Sequence, residues 1–389
     1  MRSARWPGNP ALRRPTRRRW LVAALLALVG CAQAPAPPAI EIPPFHTAAA
    51  VPVDARLPAD VLALDPAIRA YLRQHVDAED PRGRLLQLVE LMRSPRWLGL
   101  RYSATATRTA AQTFHQGDGN CLALSALFVA AAREVGLDAR FQDVELLPSW
   151  RQDGDVFVIE RHINAAVMIG GRPLVVDFLV QDPGSATRSR LIPDRTMAAQ
   201  YFNNLGVEQL AAGRLAQAYG WFRRSIETAP EVDYLWTNHG VALARNGQRT
   251  DAEFAYHQAL LLAADDAVAL NNLAGLYAAD GRSELARSSL ARVERLRLGN
   301  PYYRYWLADR YLRNGDHAAA IRELQAAIAL KPDDAAFHFA LTRVYLQTGA
   351  LPLAERSFGD ARRYATDASV RAYYEAQYPA LLAKARPAR

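Results

Sequence analysis

Residues 117–141 read GDGNCLALSALFVAAAREVGLDARF. A loop punctuated by Gly117 and Gly119 runs into an apolar helix that opens at Cys121. Leu124, Leu127, Phe128, Ala131 and Val135 recur at helical spacing and mark one buried face. Gly136 is placed to stop the helix, and DARFQDVEL (138–146) then reads as a strand. A thiol at a helix start is favoured as thiolate, because the unsatisfied N–H groups there attract negative charge. The two glycines let a substrate carbonyl approach and leave backbone N–H groups as oxyanion donors.

Downstream, a polar loop PSWRQDGD (148–155) precedes two strands, VFVIERHINAAVMI (156–169) and RPLVVDFLV (172–180), joined across Gly170-Gly171. Gly-Gly is a permissive two-residue hairpin turn. With that turn, Ile169 pairs with Arg172, His162 faces Leu179 and Asn164 faces Asp177. His162 and Asp177 become diagonal neighbours on one face, within about 7–8 Å. A slip of one residue would put them on opposite faces. Asp177 also lies inside the apolar run LVVDFLV, which is costly unless a partner such as an imidazole is present.

Thiol catalysis needs a thiolate, a proton shuttle and an orienting group, and Cys121, His162 and Asp177 are the candidates. Singly, each has a plainer reading: a packed helix cysteine, a sheet histidine and a turn cap. Their joint order and parity favour a triad. Gln116, Gly119, Asn120 and Asn164 are candidates to line the site or hold an oxyanion. His115 is a competing base or simply a loop histidine. The eight histidines are scattered without metal-ligand spacing, so no metal or other cofactor is expected.

Cysteine at a helix start, then a strand, a histidine opening a strand and an aspartate on the next resembles the transglutaminase-like cysteine-protease superfamily. GNCLALSALFVAAAREVGLDARF is similar to its nucleophile segment, and the resemblance covers roughly residues 85–185. It implies a papain-like α+β core with Cys121 as nucleophile, His162 as general base and acid, and Asp177 orienting the imidazole. Asn164 stands where many members carry an aromatic residue, and the tryptophan that many carry before the aspartate is absent.

From residue 199 the chain repeats with a period of 34. Units start at Ala199, Asp233, Ala267, Pro301 and Ala335. Their fifteenth position is Gly213, Gly247, Gly281, Gly315 and Gly349; their twentieth is Ala218, Ala252, Ala286, Ala320 and Ala354. Position 24 is Phe222, Tyr256, Leu290, Leu324 and Phe358. This resembles the tetratricopeptide pattern of helix, turn and helix. The fold class expected is thus an α+β thiol domain followed by an all-α solenoid, with residues 368–385 covering the last repeat. The resemblance implies a concave face that takes a protein or peptide. Asn204, Asn238 and Asn272 at the sixth position are similar to the amide ladder with which some such repeats hold a peptide backbone. Tyr302, Tyr305, Trp306 and Phe339 follow as apolar grips.

Residues 1–19 hold seven arginines and no acid, and WLVAALLALVG (20–30) is too short to span a bilayer. This reads as an export signal, and LVGC (28–31) resembles a bacterial lipobox, which implies lipidation of Cys31. Ala32 in place of aspartate would then imply the outer membrane of a Gram-negative cell, periplasmic face. The full chain is +8, from 47 basic and 39 acidic residues, but the seven arginines of the signal leave 40 against 39. The basic excess is therefore no evidence for nucleic-acid binding. Lipidation would also leave Cys121 with no disulfide partner, since the chain has two cysteines.

The expected division is 1–30 signal, 31–55 Pro/Ala-rich tether, 56–198 thiol domain with leading helices, 199–368 five repeats, and 369–389 capping helix and tail. Two functions fit. One is a membrane-anchored thiol enzyme acting on an amide or ester, with repeats recruiting a protein or peptide. The other is a non-catalytic scaffold for an envelope assembly.

Overall fold

A computed structural model describes residues 41–46, 61–146, 151–153, 156–158, 161–178 and 186–385. The export signal, Cys31 and the expected pairing of His162 with Leu179 lie outside these residues. The chain from Ile42 onward forms one compact unit.

The N-terminal part opens with α1 (Pro66–His75) and α2 (Pro81–Arg93). Each places a proline at its first position behind an aspartate cap, Asp65 or Asp80, whose carboxylate accepts from first-turn N–H groups. After β1 (Arg101–Tyr102), α3 (Ala110–Gln116) and β2 (Asp118–Gly119) comes α4 (Cys121–Glu134). Residues Leu122 to Ala132 of α4 are all buried, so the helix is enclosed on every side rather than along the one face expected. The reason is that α4 contacts β3 and β6 as well as α1 and α2. Gly136 does end α4, with a positive φ of 79°.

The sheet consists of β3 (Ala139–Leu146), β6 (Arg161–Ile169), β7 (Arg172–Val176) and β8 (Ala186–Ile192), antiparallel in the order β7-β6-β3-β8. Ile169 pairs with Arg172 and Ala165 with Val176, the register that the Gly170-Gly171 turn dictates. Two features differ from expectation. The stretch 156–169 is not one strand: β4 (Arg151–Asp153) and β5 (Val156–Val158) form a separate two-stranded ribbon, and β6 begins at Arg161. Asp153 pairs with Val156, inside what reads as a polar loop. The edge strand β8 carries the polar run ATRSR and gives little apolar alternation to read.

The remaining helices are five antiparallel pairs and a cap: α5 (Asp194–Ala211) with α6 (Leu215–Thr228), α7 (Asp233–Arg245) with α8 (Arg249–Leu262), α9 (Ala267–Ala279) with α10 (Ser283–Gly299), α11 (Pro301–Arg313) with α12 (His317–Leu330), α13 (Ala335–Gln347) with α14 (Leu351–Tyr364), then α15 (Ala368–Ala385). The five fifteenth-position glycines all take φ between 72° and 79°, which no β-carbon-bearing residue adopts cheaply. The five alanines of position 20 are all buried.

Position 24 is filled against position 8 of the same repeat, a pairing that the period alone does not disclose. Gly206 and Gly240 lie under the Phe222 and Tyr256 rings; a Cβ there would stand 2.5 and 2.6 Å from ring carbons. In the fourth repeat, Ala308 and the smaller Leu324 are both buried in one apolar cluster. Leu290 breaks the pattern and is 50% exposed. At the far end α15 caps the solenoid, stacking Tyr374 on Phe339 at 4.2 Å and Tyr378 on Phe358 at 3.9 Å.

The first repeat is shared between the two parts. Helix α5 begins at Asp194, five residues ahead of the sequence period, and Arg133 of α4 binds Asp194 through both guanidinium nitrogens at 2.5 and 2.9 Å. Met197, Tyr201 and Phe202 of α5 belong to the same apolar core as α4 and the sheet.

Candidate active site

Cys121 is the first residue of α4, partly exposed, with a free thiol. Asn120 caps the helix: its Oδ1 accepts from the Ala123 N–H at 2.9 Å. Its Nδ2 donates to Thr107 Oγ1 at 2.9 Å, and its backbone N–H donates to Ala106 O at 3.0 Å. The residue before the thiol is therefore tied on three sides. One turn into the helix, Ser125 Oγ donates to Ile163 O at 3.2 Å, which sets the start of α4 beside the start of β6.

The sheet supplies the partners. Along β6, Ile163, Ala165 and Val167 enter the core with α4, while the alternate residues His162 and Asn164 turn to Asp177 just beyond β7. His162 Nε2 lies 2.8 and 2.7 Å from the two Asp177 carboxylate oxygens. Asn164 Nδ2 donates to Asp177 Oδ2 at 3.1 Å. Cys121, at the start of α4, also favours the charged form of His162. With Nε2 turned to the carboxylate, Nδ1 is the ring nitrogen left for sulfur. His162 is only 2% exposed, and burial works against its charged form. The hydrogen bonds to Asp177 and Cys121, together with the negative charge of both, outweigh burial and push the imidazole up to about 9. The imidazole is thus held in its charged form beside the Asp177 carboxylate.

Three expectations about the surroundings change. Gly117 and Asn120 are not free oxyanion donors: the Gly117 N–H donates to Thr113 O at 3.0 Å, and the Asn120 N–H is held by Ala106 O. Both glycines also meet a geometric need. Gly117 ends α3 with φ 72°, and a Cβ on Gly119 would meet the Ala123 Cβ at 2.8 Å. The N–H groups with no intrahelical acceptor are the first of α4, those of Cys121 and Leu122. His115 turns to Asp65, 2.6 Å away, and is not brought to the thiol. Gln116 ends α3 on an exposed surface.

Two groups near the thiol were not singled out by sequence. Arg108 holds Asp118 through two nitrogens at 3.1 and 3.3 Å. The Thr107 N–H donates to Glu208 Oε1 of α5 at 3.2 Å. A chain of contacts thus runs from the first repeat through Thr107 to Asn120 and Cys121. Its signal in the sequence is nil, because residue 208 lies about a hundred positions away.

On the repeats, Asn238 Nδ2 donates to Asn203 Oδ1 at 2.8 Å, one place before the ladder position of the first unit, and buried Asn272 Nδ2 has no hydrogen-bond partner among the described residues. Asn204 is half-buried on α5. Helix α9, which carries Asn272, is approached by β5 of the two-stranded ribbon. Tyr305 packs against Phe337 with ring centres 5.6 Å apart, and Trp306 stacks on Tyr303 at 5.4 Å and lies 4.9 Å from the Arg310 guanidinium.

Two family models match within this architecture. The model of the transglutaminase-like superfamily matches residues 70–171, and a TPR repeat model matches residues 300–349. The chain is 32% identical over 162 residues to the cellulose synthase operon protein C of Xanthomonas axonopodis pv. citri (strain 306). That match spans 39% of this chain but 11% of the relative's length. Among solved structures, it resembles MamA of Desulfovibrio magneticus RS-1 at 18% identity, over 44% of this chain and 97% of that one, with a TM-score of 0.25. It also resembles the Cut9-Hcn1 hetero-tetramer of the APC/C at 21% identity, over 48% and 38%, with a TM-score of 0.25. The chain carries a transglutaminase-like domain followed by tetratricopeptide repeats.

Proposed function

We propose that the protein is a cysteine-dependent hydrolase or acyltransferase that acts on an amide or ester bond, with the repeats bringing a protein or peptide substrate to it. The observation that carries this reading is His162, joined to Asp177 by Nε2 and held charged with help from Cys121. The Cys121 thiolate attacks the substrate carbonyl carbon. The oxyanion formed is met by the N–H groups that open α4. As the C–N or C–O bond breaks, the His162 imidazolium gives its Nδ1 proton to the leaving amine or alcohol, and a thioester remains on sulfur. Water or a second amine, losing its proton to the now neutral imidazole, resolves the thioester and restores thiolate and imidazolium. Asp177 holds the ring in place throughout, and Asn164 holds Asp177.

The name of the Xanthomonas relative, a cellulose synthase operon protein, suits an envelope setting. The reading includes export and lipidation at Cys31, supported by the arginine-rich start and LVGC (28–31). Globomycin should block maturation of the precursor; unchanged processing rejects the anchor. Incubation with casein and a fluorescent amine, or with a peptide amide, tests the chemistry: wild type should transfer or hydrolyse and Cys121→Ala should not. Equal rates for the two reject the enzyme and favour the scaffold.

A further inference from the structure

The described residues ahead of α1 include a short run, Ile42-Pro43-Pro44-Phe45-His46, that has no helix, strand or turn and lies on repeats 1 and 2. Four of its backbone groups are held by side chains of the solenoid, one of them His46 O, which accepts from Asn246 Nδ2 at 3.4 Å. The Tyr219 hydroxyl of α6 donates to Pro43 O at 2.7 Å. The Gln248 amide makes a two-pronged grip: Oε1 accepts from the His46 N–H at 2.8 Å, and Nε2 donates to Pro44 O at 2.7 Å. Phe45 stacks on the Tyr219 ring at 4.7 Å, and Ile42 joins the same apolar cluster.

The receptor side is prepared for this. Gln248 stands at the N-cap of α8 yet makes no cap bond to its own helix. Its amide is fixed instead by Asn246 Nδ2, which donates to Oε1 at 2.8 Å, and by Asp251 Oδ2, which accepts from Nε2 at 2.8 Å. Tyr219 is backed by the buried His239 ring, 4.9 Å away. The residues at the Gln248 position of the other repeats are Arg214, Arg282, Asp316 and Ala350, and at the Tyr219 position Glu253, Arg287, Ile321 and Glu355. The grip belongs to this one place in the solenoid.

We propose that this surface is a binding site for an extended peptide with two consecutive prolines followed by an aromatic residue, and that residues 42–46 fill it as an internal ligand. Main-chain groups give the affinity, so a segment of another protein with the same pattern is read equally well. Prolines suit the task because their φ is fixed before binding and little entropy is lost. The internal copy competes at an effective concentration on the order of mM, so a partner binds only by displacing it. The site is separate from the thiol chemistry, and its test needs no turnover.

The experiment is fluorescence anisotropy of a labelled IEIPPFHTA peptide (residues 40–48) with the full chain. Phe45→Ala, which weakens the internal ligand, should bind the peptide at least tenfold more tightly than wild type. Adding Gln248→Ala to that variant should lose at least tenfold, and Tyr219→Phe, which keeps the ring, should lose several-fold. Equal binding to wild type and Phe45→Ala, or no effect of Gln248→Ala, would overturn the proposal. A wild-type dimer that Phe45→Ala turns into monomers would place the segment on a second copy and overturn internal occupancy.

Discussion

His162 Nε2 is shared between the two carboxylate oxygens of Asp177, at 2.8 and 2.7 Å, across a hairpin whose register is fixed by Ile169 and Arg172. The same carboxylate takes a third hydrogen bond, from Asn164. The carboxylate thereby orients the imidazole, and in the proposed mechanism the other ring nitrogen serves the thiol.

This arrangement sets a pH dependence. His162 keeps its proton up to about 9, above the ordinary 6.5. Because the folded value is raised, the stabilisation from the pair is complete below about 6.5 and is lost as pH rises through about 9. Acyl-transfer activity should fall with an alkaline limb near pH 9. In Asp177→Asn that limb should move toward neutrality; a limb at the same pH in both proteins speaks against the pairing.

Asn164 donates to Asp177, and under the proposed mechanism it positions that carboxylate. Asn164→Ala should lower kcat about tenfold, equivalent to about 1.4 kcal/mol, with KM little changed and the alkaline limb lowered. Asn164→Asp places a second carboxylate against Asp177 and should not rescue. An unchanged pH profile in Asn164→Ala would mean that the amide is only structural.

Glu208 lies on the first repeat but holds the Thr107 N–H, and Thr107 in turn holds the residue before the thiol. Glu208→Ala should reduce kcat several-fold while the melting temperature stays nearly constant. Loss of stability with unchanged kcat would show a packing role alone.

The solenoid gives a size test. Gly240→Ala puts a methyl 2.6 Å from the Tyr256 ring and should cost about 1–3 kcal/mol by overpacking. Leu324→Ala removes a buried side chain and should cost about 2–5 kcal/mol. Leu290→Ala, at the equivalent but exposed position, should stay within about 0.5 kcal/mol. Urea denaturation of the three variants separates these outcomes.

Much of this was legible in the sequence where one local rule governs. A Gly-Gly turn fixes strand register, so the side-by-side placement of His162, Asn164 and Asp177 follows from counting. Five glycines in register announce five left-handed turns, each of which the structure contains. The rest depends on contacts between distant residues. Nothing local at Thr107 points to Glu208, and nothing in IPPFH points to Gln248, about two hundred residues on. Strand β8 escaped because an edge strand needs no apolar alternation. The exposure of Leu290 escaped because a repeat position predicts its average neighbour, not its own. Gly117 and Gly119 also have geometric reasons that no local rule announces: the positive φ of the first and the approach of Ala123 to the second.

The central claim is that Cys121 is an activated thiol paired with His162. Its most direct measurement is the rate of alkylation of Cys121 by iodoacetamide at neutral pH, followed by peptide mass spectrometry, in the folded wild type and in His162→Ala. The wild type should alkylate rapidly while folded, and His162→Ala at least tenfold more slowly. A Cys121 that reacts only after unfolding, or at the same rate in both proteins, would contradict it.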